Sequence, residues 1–366
     1  MKNLRIIIAG GGTGGHIFPA VAVGHALQRL QPGTQLLFVG AKGKMEMEKV
    51  PQEGFEIVGL DIAGFDRSNL LKNLSLPFKL LKSRFMAKSI LKNFNPDVVV
   101  GVGGYASFPM LSAAQAMNIP TLIQEQNSFA GKTNKILGRK AKAVCVAYEH
   151  MERFFPQDKL ILTGNPVRKD ITDMKADSLQ AKAMFGLNGS TKTILVIGGS
   201  LGAKAINESI DANLDELMKE NVQLIWQTGN PYHKQALSRA EKYKGRVTVL
   251  NFIKEMAYAY TVADVVVSRA GALAIAELCI AGKPAIFVPL PTAAEDHQTS
   301  NAMSLVYQEA AIMVRNDAAL TELIPTIKTL MADERKQEQM SQNLRSLAIK
   351  DADERIAHKI IAIATK

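Results

Sequence analysis

An α/β fold of two doubly wound, Rossmann-like domains is what this sequence predicts, on three observations. Short, wholly apolar runs such as "DVVVGVGG", "TILVIGG" and "DVVVSRAG" alternate with helix-like segments, the pattern of parallel strands buried on both faces. A strand followed by a glycine loop opens the chain at residues 5–15, and the same pattern restarts near residue 190. The length of 366 residues accommodates two domains of ordinary size, each with its own core.

Element by element, strands are expected at 5–9, 35–39, 97–102, 121–124, 143–147 and 160–163 in the first half. In the second half they are expected at 193–197, 222–227, 247–250, 264–268 and 285–288. Helical segments between them imply βαβ units with right-handed crossovers. The polar stretch headed by Asn165-Pro166 reads as the link between halves, giving domains over 1–163 and 164–339. Residues 340–366 are charged and helical in pattern, able to pack on either half.

The apolar share of 47% and charged share of 21% are those of a soluble globular chain. Cys145 and Cys279 both sit in apolar settings, so buried free thiols are expected, which suits a reducing compartment. The isoleucine run after Met1-Lys2 is too short for a signal peptide, and no run reaches the ~18–20 apolar residues of a membrane span. A net charge of +10 points to an acidic partner. Residues 66–95 hold seven basic residues and one acid. There Phe78, Leu81 and Phe85 form one stripe, flanked by Lys82, Arg84 and Lys88. A helix lying on an anionic membrane surface has this character. A core-facing stripe with a solvated basic back is the competing reading. With scattered tyrosines and no recognition motif, no nucleic-acid partner is expected.

The loop in "RIIIAGGGTGGHIFP" satisfies G-x-G-x-x-G, the dinucleotide fingerprint. Two features oppose that use. The second strand ends "LLFVGAKGK", without the acid that would bind ribose hydroxyls. Proline is tolerated only near a helix start, so His16-Ile17-Phe18-Pro19 argues against a helix running directly out of the loop. A second loop lies in "VVVGVGGYASFP" and a third in "ILVIGGSLGAKAIN", where Ser200 and a helix N-terminus would form an anion site. Each alone could be a tight turn needing glycine for steric reasons. Three at strand ends favour phosphate or sugar binding, since open α/β sheets bind ligands there. Glu277, about two turns into the apolar "ALAIAELCIAG", calls for a hydroxyl partner, because an unpaired buried acid is costly.

These motifs carry a resemblance. "GGGTGGHIFPA", "GVGGYASFP", "QEQNSFAGKTNK", "TGNPVR", "GGSLGAKAIN", "SRAGALAIAE" and "DHQTSNA" stand in the order and spacing of the MurG family of glycosyltransferases, over essentially the whole chain. The resemblance implies a GT-B arrangement, two doubly wound domains facing across a cleft, with the C-terminal helix crossing back to the first. It implies inverting transfer of GlcNAc from UDP-GlcNAc to the muramoyl C4 hydroxyl of undecaprenyl-diphospho-muramoyl-pentapeptide, in peptidoglycan synthesis. It also implies a peripheral location at the cytoplasmic face of the inner membrane, a cell-wall synthesis complex as a further partner, and no cofactor. Carried over residue by residue, Arg168 and the backbone at Ile253 would contact the uracil side and Ser200 the diphosphate. The helix N-terminus through Ala272, Leu273, Ala274, Ile275 and Ala276 would lie beside it. Glu277 would take the ribose hydroxyls and Gln298 the sugar ring. Thr13, Gly14, Gly15 and Asn127 would reach the donor from the first domain. Gly103, Gly104, Tyr105 and Ser107 would line the acceptor diphosphate loop.

Gln124, Ala270, Ala274 and Ala276 depart from the family's usual histidine and hydroxyl residues, so backbone N–H groups would hold the phosphate near position 274. His16 is the first candidate for the general base and Glu125 its rival. No metal is implied: the one D-x-D triplet considered, Asp351-Ala352-Asp353, lies in a charged helix far from every glycine loop. Rival readings are another GT-B glycolipid synthase, such as a glycosyl-diacylglycerol synthase, a UDP-GlcNAc epimerase on a similar fold, or an inactive sugar-nucleotide-binding scaffold.

Overall fold

The computed structural model describes residues 3–62, 76–174, 177–199 and 201–366, the side chains of 76–81 and 294 apart. Internal contacts divide the chain into a unit of residues 1–167 with 349–366 and a unit of 168–348. The sequence reading had put these divisions at 163/164 and 339/340.

The first unit begins β1 (Arg5–Ala9), α1 (Gly14–Leu30), β2 (Gln35–Ala41), α2 (Glu46–Gln52) and β3 (Ile57–Leu60). It continues with α3 (Leu76–Phe94), β4 (Val98–Gly101), α4 (Ser107–Ala116), β5 (Thr121–Glu125), α5 (Lys132–Gly138), β6 (Ala143–Val146) and β7 (Leu160–Leu162). The strands form one parallel sheet in the order β3-β2-β1-β4-β5-β6-β7. Alternation along β1 explains its wholly apolar sequence. Ile6 and Ile8 pack with Ile17, Ala20 and Val21 of α1, while Ile7 and Ala9 pack on the other face with Met110 and Leu111 of α4. Each such buried aliphatic side chain contributes about 1.5–3 kcal/mol.

The second unit opens with α6 (Lys169–Thr172), α7 (Ser178–Met184), β8 (Lys192–Ile197), α8 (Lys204–Ala212), α9 (Leu214–Leu217) and β9 (Val222–Gln227). There follow α10 (Asn230–Ala240), β10 (Val247–Leu250), α11 (Met256–Val262), β11 (Val265–Ser268), α12 (Ala272–Ala281) and β12 (Ala285–Phe287). Last come α13 (His297–Val306), β13 (Ala311–Met313), α14 (Ala319–Ala332) and α15 (Glu334–Ser346). Its parallel sheet runs β10-β9-β8-β11-β12-β13, the doubly wound order once more. The edge strands β3 and β13, four and three residues long, had no counterpart in the sequence reading.

Of the charged C-terminal stretch, only α16 (Ala352–Ala364) joins the first unit. It buries Ile356, Ala357 and Ile360 in the core that α1 shares, and Arg29 of α1 pairs with its Asp353 at 3.0 Å and Glu354 at 3.2 Å. Helix α15 stays with the second unit because Met340 enters that core and the Ser341 hydroxyl donates to the Gly282 carbonyl at 2.7 Å. The Asp351-Ala352-Asp353 triplet is thus engaged in ion pairs, Asp351 with Arg355 at 2.9 Å and Asp353 with Arg29.

In α3 the inward face is Ser83, Ala87 and Leu91. Phe85 is 65% exposed, and Lys82 and Arg84 are exposed beside it, Lys82 bridging to Asp61 at 3.0 Å. The core-facing alternative therefore fails at Phe85. Phe78 and Leu81 lie outside the described side chains. Among the described residues no helix is long and apolar enough to cross a membrane.

At the carboxyl ends of the central strands, main chain packs on main chain. Gly104 has φ +84°, and a Cβ on it would fall 2.1 Å from the Gly11 carbonyl oxygen. The Gly11 amide donates to the Gly103 carbonyl at 3.3 Å, closing the loop after β1 onto the loop after β4. In the second unit Gly202, φ +78°, lies against Thr228 in the same way, its absent Cβ 2.0 Å from that carbonyl oxygen. Positive φ and a 2 Å approach both demand glycine.

Candidate active site

The loop of residues 10–13 leads straight into α1, with Thr13 as N-cap in extended conformation and Gly14 as the first helical residue. This corrects the expectation drawn from Pro19, which sits inside the helix. Proline there forgoes one backbone bond, but Ile17, Pro19, Ala20 and Val21 are all buried, and tertiary packing outweighs that loss. The case against a dinucleotide changes accordingly. The Gly12 amide is already taken, donating at 2.8 Å to the carboxyl of Glu46, five residues beyond the end of β2.

His16 lies in the first turn of α1. Its Nδ1 is 3.1 Å from the Gly11 carbonyl oxygen and 3.3 Å from Thr13 Oγ1. A carbonyl only accepts, so Nδ1 carries the hydrogen, and the neutral ring keeps its lone pair on Nε2. The imidazole edge packs over Gly103, where a Cβ would fall 2.8 Å from Cδ2 and Nε2. Thr13, Gly14 and Gly15 form the head of the same helix, whose first amides have no partner within it, and Tyr105 of the neighbouring loop is 43% exposed. Ser107 is a different case. It is fully buried, accepts from the Gly103 amide at 3.1 Å and donates to the Ala9 carbonyl at 2.7 Å, so it braces the loop from beneath instead of facing a ligand.

Glu125 ends β5 with 2% of its surface exposed. Its Oε1 accepts from the Asn127 amide at 3.1 Å and Asn127 Nδ2 at 3.3 Å; its Oε2 accepts from the Gly131 amide at 3.1 Å and Asn134 Nδ2 at 2.8 Å. Burial pushes this carboxyl up, and the four donors pull it back. Each oxygen already accepts two N–H groups, so an external hydroxyl would have to displace one of them to reach it. These four bonds tie the carboxyl to the 126–131 loop and the start of α5. Asn127 is consequently oriented by Glu125. Gln124, fully buried, donates to Asn165 Oδ1 at 3.1 Å and accepts from Gln126.

In the second unit, Glu277 on α12 accepts from the Tyr260 hydroxyl at 3.0 Å and pairs with Arg168 at 3.5 Å. Burial holds its carboxyl above the usual range, against the opposing pull of Arg168 and Tyr260. Tyr260 is a protein partner and not the bound hydroxyl expected from sequence; burial with the Glu277 charge raises that phenol well above its ordinary value. Arg168 precedes α6 and is the residue at which the second unit begins. Gly271 caps α12, whose first turns are Ala272, Leu273, Ala274, Ile275 and Ala276; no acid sits there, leaving the helix N-terminus suited to an anion. The Ile253 amide donates to Gln227 Oε1 at 3.3 Å, and Gln298 Oε1 accepts from the Leu290 amide at 2.9 Å. Ser200 lies outside the described residues. Two contributors were not read from sequence, Glu46 and Arg269. The latter's guanidinium, lowered by burial, donates to the Val288 and Pro289 carbonyls and to Asn316. Burial pushes both cysteine thiols up to about 12, leaving them unreactive.

Residues 6–146 match the glycosyltransferase family 28 N-terminal domain and residues 193–356 the family 28 C-terminal domain. A UDP-N-acetylglucosamine–N-acetylmuramyl-(pentapeptide) pyrophosphoryl-undecaprenol N-acetylglucosamine transferase of Parabacteroides distasonis is 48% identical over 100% of both chains. The protein of the same name from Bacteroides thetaiotaomicron is 51% identical over 99% of this chain and 98% of its own. The chain belongs to glycosyltransferase family 28, in its MurG branch. The crystal structure of Acinetobacter baumannii MurG superimposes on this family 28 chain with a TM-score of 0.80 at 33% identity, covering 98% and 99% of the two chains. A UDP-GlcNAc 2-epimerase from Neisseria meningitidis shares the fold alone, at TM-score 0.67 and 16% identity over 98% of this chain and 100% of its own. Among the described residues of this family 28 member, no three His, Cys, Asp or Glu side chains are grouped to hold a metal.

If Glu125 braces loops, Glu125→Gln turns one acceptor into a donor facing N–H groups. Urea unfolding should then show a loss of about 3 kcal/mol. Unchanged stability with collapsed turnover would instead return Glu125 to the role of base.

Proposed function

We propose that this chain transfers GlcNAc from UDP-GlcNAc to the muramoyl C4 hydroxyl of undecaprenyl-diphospho-muramoyl-pentapeptide, with inversion, forming a β1,4 bond. The observation that carries the reading is full-length identity of 48–51% with transferases named for that donor and acceptor. The geometry supplies the chemistry. As the C4 oxygen attacks the anomeric carbon from the face opposite UDP, His16 Nε2 takes its proton, and the C1–O bond to the diphosphate breaks. Nδ1, tied to the Gly11 carbonyl, keeps the ring in the tautomer this step needs. Charge growing on the departing UDP is met by the N-terminus of α12 and by Arg168, while Glu277 takes the ribose hydroxyls beside Tyr260. Thr13, Gly14, Gly15, Asn127 and Gln298 are the remaining candidate donor contacts, and Gly103, Gly104 and Tyr105 the acceptor loop.

The acceptor is a lipid, and the outward face of α3 suits it. Exposed Phe85 among Lys82, Arg84 and Lys88 gives an apolar anchor in a basic setting. The enzyme works on this reading at the cytoplasmic face of the inner membrane, peripherally bound, in the company of other cell-wall synthesis proteins.

Supplied with UDP-[¹⁴C]GlcNAc and either lipid-linked muramoyl-pentapeptide or diacylglycerol, the protein should label only the former. Label in diacylglycerol would make it a different glycolipid synthase. His16→Ala should lower kcat by ~10²–10⁴ with donor affinity unchanged, and retention of most of kcat would remove His16 as the base. On phosphatidylglycerol vesicles, neutralising Arg84 or Lys88 should weaken binding about fivefold each, from about 1 kcal/mol per basic residue, with no such effect on phosphatidylcholine. Binding indifferent to anionic lipid would refute the membrane role of α3.

A further inference from the structure

Glu46 is 1% exposed, has no ion-pair partner among the described residues, and takes no part in the transfer described above. Its oxygens both accept from main-chain amides, Oε2 from Gly12 at 2.8 Å and Oε1 from Ala41 at 2.9 Å, the pattern of an ionised carboxyl. Room for it exists only because two glycines flank it. A Cβ on Gly11 would fall 2.3 Å from its Cδ, and one on Gly40 would fall 2.4 Å from its Cγ. The glycine in "LLFVGAKGK", where a dinucleotide site would put an acid, instead makes space for an acid coming from α2.

The Gly12 N–H and the Gly11 C=O belong to one peptide group. Glu46 holds the N–H end, and His16 Nδ1 holds the carbonyl end at 3.1 Å. We infer that Glu46 is the positioning residue of His16, acting through the 11–12 peptide as the carboxylate of a catalytic triad acts directly on its imidazole. A negative charge at the N–H end polarises the amide and makes its carbonyl a better acceptor. A stronger Nδ1–H bond fixes the tautomer and makes Nε2 a better base. The setting favours such coupling: His16 and Glu46 border a shared void of about 10 Å³ whose other walls are Gly10 and apolar side chains. The Gly11 amide, bonded to the Gly103 carbonyl, fixes the preceding peptide from the other side.

The inference rests on His16 being the base, and the test separates the two. In the full chain with ¹⁵N-labelled histidine, the neutral His16 ring should show a protonated Nδ1 and a bare Nε2. Glu46→Gln should move the Nδ1 proton upfield and mix in the other tautomer. A ring already in the Nε2–H form, or one untouched by Glu46→Gln, overturns the inference whatever the activity. In transfer assays Glu46→Gln should lower kcat about tenfold with KM for UDP-GlcNAc within twofold, and lower it less than twofold in a His16→Ala background. Equal losses in both backgrounds would mean that Glu46 acts on the fold and not through His16, overturning the inference. Should Glu46→Gln not fold, Glu46→Asp, which keeps the charge at shorter reach, carries the same comparisons with smaller expected effects. If the ring behaves as expected while His16→Ala stays active, the relay stands and the base assignment falls.

Discussion

The contact on which the first unit's site depends is that of the Gly11 carbonyl against Gly104. Parallel sheets of the doubly wound order leave a gap at the carboxyl end where β1 and β4 diverge. In this chain main chain meets main chain across that gap at Gly11 and Gly104, with the Ser107 hydroxyl bracing the junction from beneath. The consequence is positional. Once the loops after β1 and β4 are locked together, the start of α1, the imidazole of His16 and the edge of Gly103 have one arrangement available. The second unit repeats the device with Gly202 on Thr228, but between the loops after β8 and β9. The N-terminus of α12, after β11, lies outside that contact and carries no acid in its first turn.

Loops built so tightly bring amides that need acceptors, and buried carboxyls supply them. Glu46 serves the loop after β1 and Glu125 the loop after β5, each satisfying main-chain donors with both oxygens. Glu277 is of another kind: its partners are side chains, Tyr260 and Arg168, which leaves it able to meet a ligand hydroxyl as well. Two buried acids, Glu46 and Glu125, are thus tied to loops, while the partly buried Glu277 stands apart. Exposure and partners agree: Glu46 and Glu125 are at most 2% exposed and bound to main-chain amides, whereas the Glu277 side chain keeps 13% exposure and has side-chain partners.

Much of this was legible in the sequence. Apolar runs bounded by glycine marked eleven strands, and the restart near residue 190 marked the second sheet, because buried parallel strands leave an unmistakable pattern. The edge strands β3 and β13 were missed because three or four residues carry too little pattern. Pro19 misled because proline's local cost is visible in sequence and the packing that outweighs it is not. Glu46 was hidden in "MEMEKV", which reads as a solvated helix face. Only the fold turns that residue inward, between glycines that look like phosphate-loop signals. The burial of Ser107 and Glu125 was hidden for the opposite reason: their motifs are recognisable, but nothing in them shows that both side chains turn inward.

The central claim is that backbone interlock at the strand ends sets the geometry of transfer. Gly104→Ala tests it most directly, because its Cβ would meet a main-chain oxygen that no side-chain rearrangement can move aside. Transfer to the lipid-linked acceptor should fall at least ~100-fold, as a misplaced catalytic group commonly costs. UDP binding, measured by calorimetry on the same variant, should stay within about twofold, since the nucleotide's contacts are assigned to the second unit. Transfer at the native rate in that variant would contradict the account.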